Sequence, residues 1–399
     1  MLRNCVVLYC ILLAGFSAVA AEIQPLDAKI GPEHAPDEGG LEAGIWMQVE
    51  QHEADIRNSP RRIRDEALNQ YLHNIVCRLS PDYCKDIRLY VTRVPFFNAS
   101  MMPNGLMTVW TGLLLRVHNE AQLAAILGHE LGHYLRQHGL DRFKDAKTKS
   151  NIALLLGLGF GVAASTSAHS GFSDANGIVQ FVLLASHNAH SRAAEREADQ
   201  FGIQLMSEAG YDPFEAARVW KNIIDEEEAA KHSKLQGSPF FATHPAPKDR
   251  LTNLDAYARI LTARAAEQGE AATGRFIQHM APYWKTLLDD ELRLNQSGKT
   301  EFILDNLIAN NVVPGVVHFY KGELYRQRKE TGDTDLARQH YQQALQADYF
   351  LPETYRSLGL LHLKEKRMQD AMENLTLYLE ASPDAEDREM IEYYLTMEQ

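Results

Sequence analysis

His129-Glu130-Leu131-Gly132-His133 sits inside the stretch Ala121–His138, where Leu123, Ile126, Leu127, Leu131 and Leu135 recur at helical spacing. Residues four apart on a helix stand one above the other, so both histidines can aim at one metal ion. Glu130 projects beside them, within reach of a water in the same site, which is the mechanical content of HExxH on a helix. Five residues with two free positions also recur by chance on solvated helix faces. A catalytic zinc takes three protein ligands and keeps a fourth position open, so the pentapeptide needs a partner elsewhere.

Glu195-Arg196-Glu197-Ala198-Asp199 supplies it. Phe181–Met206 reads as a second helix in which Glu195 and Asp199 stand four apart. Glu195 is the candidate third ligand. Asp199 is the candidate acceptor for a ligand imidazole N–H, the bond that fixes its tautomer. The alternative is a third histidine soon after His133 with a turning glycine midway. Here Arg136 occupies the glycine's place and Gly139 the histidine's. On a continuous helix His138 lies about half a turn from His129, which disqualifies it. His187 and His190 precede the third-ligand residue and are candidates to line the cleft.

With these residues in place, the chain resembles the gluzincin peptidases of the CAAX-prenyl-protease and HtpX type, and within them the exported branch concerned with outer-membrane quality control. The likeness rests on Asn104–Leu114, Glu120–His138, Ser191–Asp199, Ala209–Pro213 and Thr243–Arg250. It implies a zincin-type metalloprotease domain with a small β-sheet. One Zn2+ per chain would be held by His129, His133 and Glu195, with Glu130 as the general base. Leu106, Met107, Thr108, Val109 and Trp110 would form the edge strand along which an extended substrate lies. His244 would be a fourth, switch-like ligand, although a histidine before a proline otherwise reads as a turn residue. Arg250 would stand on the site wall, on the oxyanion side.

The 399 residues can hold two or three domains. A formal net charge of −13 argues against nucleic acid as a partner and offers no basic patch for anionic lipid. Arg3, the apolar run Val6–Phe16 and Ala18-Val19-Ala20 read as a cleaved signal peptide over 1–20, hence export to the periplasm. Residues 21–40, rich in proline, glycine and acidic groups, read as a flexible leader. Cys77 and Cys84 flank the turn-forming Ser80-Pro81-Asp82-Tyr83 and are a disulfide candidate in an exported chain, with two buried free thiols as the alternative. The glycine-rich apolar run 152–165 is too short to span a bilayer and reads as a buried hairpin, with peripheral membrane contact as the sharper reading.

The fold expected is mainly α (α+β), with the metalloprotease domain over 41–255 and an α-helical tail over 256–399. Leu41–Leu79 reads as helix interrupted near Asn58-Ser59-Pro60, and Ile87–Val94 as a strand. In the tail, Tyr355, Leu358, Gly359, Ala371 and Pro383 fall at tetratricopeptide spacing, preceded one repeat earlier by Gly322, Tyr325, Ala337, Tyr341 and Ala344. Two functional readings follow. One is an endopeptidase that degrades misfolded or stalled envelope proteins and meets the outer-membrane assembly machinery through its tail. The other is a repeat-based chaperone or adaptor for outer-membrane assembly, with proteolysis secondary.

Overall fold

The computed structural model describes residues 27–148, 190–229, 239–244, 249–262 and 269–396. The expected signal peptide over 1–20, the apolar run 152–165, His187 and the first part of the helix expected from Phe181 lie outside the described residues. Helix α1 (Leu41–Asn58) ends before Ser59-Pro60, and α2 (Glu66–Leu79) restarts behind Asp65, whose side chain accepts the N–H of Leu68 at 2.9 Å. A short 3-10 turn at Pro81–Tyr83 closes the loop that the Cys77–Cys84 disulfide staples, with a Cα–Cα distance of 4.6 Å.

The sheet has four strands, β1 (Arg62–Ile63), β2 (Arg88–Thr92), β3 (Ala99–Met101) and β4 (Leu106–Trp110), in the order β1-β2-β4-β3. This corrects one expectation. Leu106, Met107, Thr108, Val109 and Trp110 do not form an edge; β4 is an inner strand, parallel to β2 and antiparallel to β3, with every residue buried. The cause is a tight hairpin. Gly105 takes a φ of +86°, and a Cβ there would sit 2.1 Å from the Asp86 carbonyl oxygen, so glycine alone lets the chain turn back and lay β3 on the side left open. A continuous rather than alternating apolar run is the signature of such an inner strand.

From the end of β4 the chain passes through α3 (Thr111–Arg116) into α4 (Glu120–Leu135), the helix that carries the pentapeptide. Asn119 caps it by accepting the N–H of Gln122 at 2.8 Å. All sixteen residues of α4 are buried, and Leu123, Leu127 and Leu131 contribute about 1.5–3 kcal/mol each. The helix stops earlier than expected: Gln137 has a φ of +55°, and His138 opens a new helix, α5 (His138–Thr148). Next come α6 (Arg192–Glu208), α7 (Phe214–Ala229), α8 (Pro239–Thr243) and α9 (Arg250–Leu261). Helix α6 starts at Arg192 because Ser191 caps it, accepting the N–H of Ala194 at 3.1 Å.

Helices α4 and α6 cross at glycines. A Cβ on Gly202 would lie 2.7 Å from the backbone nitrogen of His129, and one on Gly132 would lie 2.9 Å from the Ala198 carbonyl oxygen. That crossing sets the distance between the two motif segments.

The leader is not loose along its whole length. From Lys29 it is tied to the body: the Lys29 N–H donates to the Leu135 carbonyl at 2.8 Å, Tyr83 Oη–H donates to the Ile30 carbonyl at 2.7 Å, and Ile30 is buried. Among the described residues the elements of the C-terminal part are all helices: α10 (Gly269–Met280), α11 (Trp284–Arg293), α12 (Ser297–Ala309) and the pairs α13 (Pro314–Arg328) with α14 (Asp333–Leu345) and α15 (Glu353–Lys364) with α16 (Met368–Ala381), then α17 (Arg388–Thr396). Gly322 faces the Tyr341 ring and Gly359 faces Leu375, which lets each pair close tightly.

One apolar core runs from Ile30 through α4 to Leu361, so the C-terminal helices are packed against the motif-bearing part. Ion pairs reinforce the seam. Arg116 donates to Glu226 at 2.8 Å and to Glu291 at 2.9 Å, and Arg275 donates to Glu120, the first residue of α4, at 2.8 Å. Among the described residues, no helix is long and apolar enough to cross a membrane.

Replacing Gly202 by Ala is expected to lower stability by ~1–3 kcal/mol, because the added methyl meets helix backbone that cannot move aside without shifting His129. Urea unfolding monitored by circular dichroism measures it; a midpoint equal to wild type would mean the helices can separate freely.

Candidate active site

Helix α4 presents His129 and His133 one turn apart, and α6 brings Glu195 opposite them. The Nε2 atoms of the two histidines are 3.1 Å apart. Glu195 places Oε1 3.3 Å from His133 Nε2 and Oε2 3.5 Å from His129 Nε2. His244, at the end of α8, adds Nδ1 at 3.3 Å from His129 Nε2 and 3.2 Å from Glu195 Oε1. These four residues, all buried, form a potential metal site. The separations fit a tetrahedral ion: bonds of about 2.0–2.1 Å require donors roughly 3.3 Å apart. Glu130 lies alongside, its Oε1 buried without a hydrogen-bond partner and 3.6 Å from His244 Nε2. An orphaned carboxylate oxygen beside a nest of inward-facing lone pairs fits a site completed by a cation and water.

Asp199 Oδ1 lies 2.9 Å from His129 Nδ1, the nitrogen facing away from the cluster. Arg250 corrects another expectation. Its guanidinium is fully buried, donates to Asp199 at 2.5 Å and lies 3.5 Å from Glu195 Oε2, so it backs the ligand layer and does not stand free on the oxyanion side. The reason is the paired acids of α6, which compensate its buried charge. The guanidinium also lies over the Trp220 ring at 3.5 Å. Phe240 stacks on His244 at 4.3 Å, and His190 stacks on His133 at 3.9 Å.

Burial shapes the protonation of the site. It pushes the Glu130 carboxyl above the ordinary carboxylate range, outweighing the nearby cationic groups. It drives His133 well below the ordinary imidazole value, towards the neutral form that a metal ligand requires. Glu195 moves the other way. Although burial penalises its charge, His244 and the hydrogen bonds from His129 and His133 hold its carboxyl well below the usual range. Burial and Arg250 also oppose charge on His129, yet Asp199 and Glu195 raise it to about 9, so metal uptake displaces a proton there.

Trp220, Phe240 and His138 were not legible as site residues. Phe240 carried a faint signal, standing four residues before His244; Trp220 carried none. His138 reaches the site only through the break at Gln137.

A histidine pair on one buried helix, met by a glutamate from a crossing helix, is the metal centre of the gluzincin class of metallopeptidases. Consistently, the sequence model of peptidase family M48 matches residues 64–258, and the chain carries a peptidase family M48 domain there. The beta-barrel assembly-enhancing protease of Escherichia coli is 24% identical over 217 residues, 53% of this chain and 44% of that protein. Its Vibrio cholerae counterpart is 26% identical over 245 residues, 59% of this chain and 49% of its own length. The mitochondrial metalloendopeptidase OMA1 of Schizosaccharomyces pombe is 30% identical over 167 residues, covering 42% and 45% respectively. The chain thus spans about half the length of the curated relatives it matches.

Changing Asp199 to Ala is expected to weaken metal binding about 10–100-fold by freeing the His129 ring. Competition with a chromophoric chelator reads this directly; an unchanged affinity would remove Asp199 from that task.

Proposed function

We propose that the protein is a zinc-dependent endopeptidase of the periplasm that degrades misfolded or stalled outer-membrane proteins. The observation that carries this reading is the set of four buried donor residues within 4.8 Å of one another, beside a glutamate whose Oε1 is buried without a hydrogen-bond partner. Imidazole and carboxylate donors in that geometry suit zinc. When bound, such an ion polarises a peptide carbonyl and acidifies water in its open position. Glu130, beside that donor set, would take a proton from a water there and return it to the leaving amide nitrogen. Its raised carboxyl value brings it closer to neutrality, where a general base of this kind works best. Asp199 and Arg250 keep His129 and Glu195 aimed at the ion.

His244 fills the donor position that water needs, so the resting enzyme is latent until α8 withdraws. An extended substrate pairs with β3, the short strand at the end of the sheet, in place of β4. Such pairing reads main chain more than sequence, which suits unfolded segments. The names of the Escherichia coli and Vibrio cholerae relatives, together with the signal-like N-terminus, support the envelope setting. In this account residues 41–255 are the catalytic domain, and the helical pairs over 256–399 are tetratricopeptide-like repeats that engage the outer-membrane assembly machinery.

The second reading, an assembly chaperone or adaptor, draws on those same helical pairs; the retained Glu130 favours the enzyme.

Glu130→Gln is expected to keep its zinc and lose casein hydrolysis by at least ~100-fold. Wild-type turnover in that variant, assayed with fluorescent casein, would exclude Glu130 as the base. His244→Ala is expected to raise basal hydrolysis in the same assay, whereas equal or lower activity would argue that His244 does not hold the enzyme latent.

A further inference from the structure

His133 turns Nε2 towards the donor cluster and Nδ1 away from it. That Nδ1 lies 3.0 Å from Nδ1 of His138. The opposite nitrogen of His138, Nε2, lies 2.8 Å from Glu197 Oε2, and Glu197 is held in turn by Arg136. We propose that His138 and Glu197 form a positioning dyad for His133, doing for the second histidine of the motif what Asp199 does for the first. This rests on the metal reading of the site and extends it.

The proton arrangement follows from the inventory of donors. An ionised carboxylate only accepts, so the Nε2 of a neutral His138 is the N–H that donates to Glu197. His138 Nδ1 is then a bare lone pair. Two ring nitrogens 3.0 Å apart share one proton, which therefore sits on His133 Nδ1. The consequence is a lone pair on His133 Nε2 fixed towards the cation. Hydrogen bonding of this kind also makes the ligand nitrogen a better donor.

The fold is arranged to make the chain possible. Continued as a helix, α4 would carry His138 about 140° around the axis from His133, out of reach. The left-handed Gln137 ends α4, and α5 restarts with His138 folded back over His133. Glu197 stands two residues from Glu195, on a different side of α6, so it does not compete for the ion. His138 is only 7% exposed, which shields its contact with His133 from water. His190, stacked on the face of the His133 ring, limits its remaining rotation.

The test uses the full mature chain loaded with zinc, with His138→Phe and His138→Gln compared. Phenylalanine keeps a ring and removes the acceptor; glutamine offers an amide oxygen to His133 and an amide N–H to Glu197. Chelator competition is expected to show zinc held about 10–100-fold more weakly in His138→Phe and largely restored in His138→Gln. The visible spectrum of the cobalt-substituted protein should change in the phenylalanine variant and return in the glutamine variant. Zinc affinity and cobalt spectrum both unchanged in His138→Phe would overturn the proposal. Equal losses in both variants would overturn it too, since only packing would then be at stake. Should His138→Phe fail to fold, Glu197→Leu takes its place: it removes the acceptor of the His138 Nε2–H, and unchanged zinc affinity refutes the dyad. A wild-type chain that takes up no zinc would sink the metal reading itself, a separate outcome.

Discussion

Two buried helices must cross closely enough for imidazole nitrogens on one and a carboxylate on the other to share a single ion. Glycine backbone at Gly128, Gly132 and Gly202 permits that approach, and much of the local architecture serves it. The crossing concentrates charge where water is scarce: Glu130, Glu195 and Asp199 are all at most 5% exposed. Unpaired carboxylates in such a place would be strongly destabilising. Arg250 compensates two of them from behind, and a divalent cation would compensate the rest from the front. The buried Oε1 of Glu130, without a hydrogen-bond partner, is the carboxylate atom placed to meet a reacting water.

The C-terminal helices belong to the same physical system. Glu120, at the start of α4, accepts hydrogen bonds from Tyr71, Arg78, Tyr211 and Arg275, the last of these from the tail. Arg116, just before α4, bridges Glu226 and Glu291. Breaking a buried pair of this kind costs about 3–5 kcal/mol. A force on the tail therefore reaches the base of the motif helix through the buried Arg116 cluster, the half-buried Arg275–Glu120 pair and a shared apolar core.

Helical periodicity made the centre of the site readable in the sequence. The four-residue spacings of His129 with His133 and of Glu195 with Asp199 place their side chains on common faces, and the structure brings those faces together. Features set by a single backbone conformation were not readable. The hairpin at Gly105 turned an expected edge strand into an inner one, and the left-handed Gln137 moved His138 from the far side of a helix to the back of His133. Arg250 was expected on the oxyanion side because sequence order says nothing about which acids a guanidinium will find. Trp220 and Phe240 join the site through tertiary packing, which leaves no periodic trace. Tight closure of the tail pairs, by contrast, was foreshadowed by the small residues Gly322 and Gly359.

The most direct test of the shared ion is an anomalous difference map at the zinc edge from crystals of the metal-loaded protein. The account predicts one strong peak per chain, about 2.0–2.2 Å from His129 Nε2, His133 Nε2 and a carboxylate oxygen of Glu195. A peak elsewhere, or one bound to the histidine pair with Glu195 out of coordination range, would contradict it.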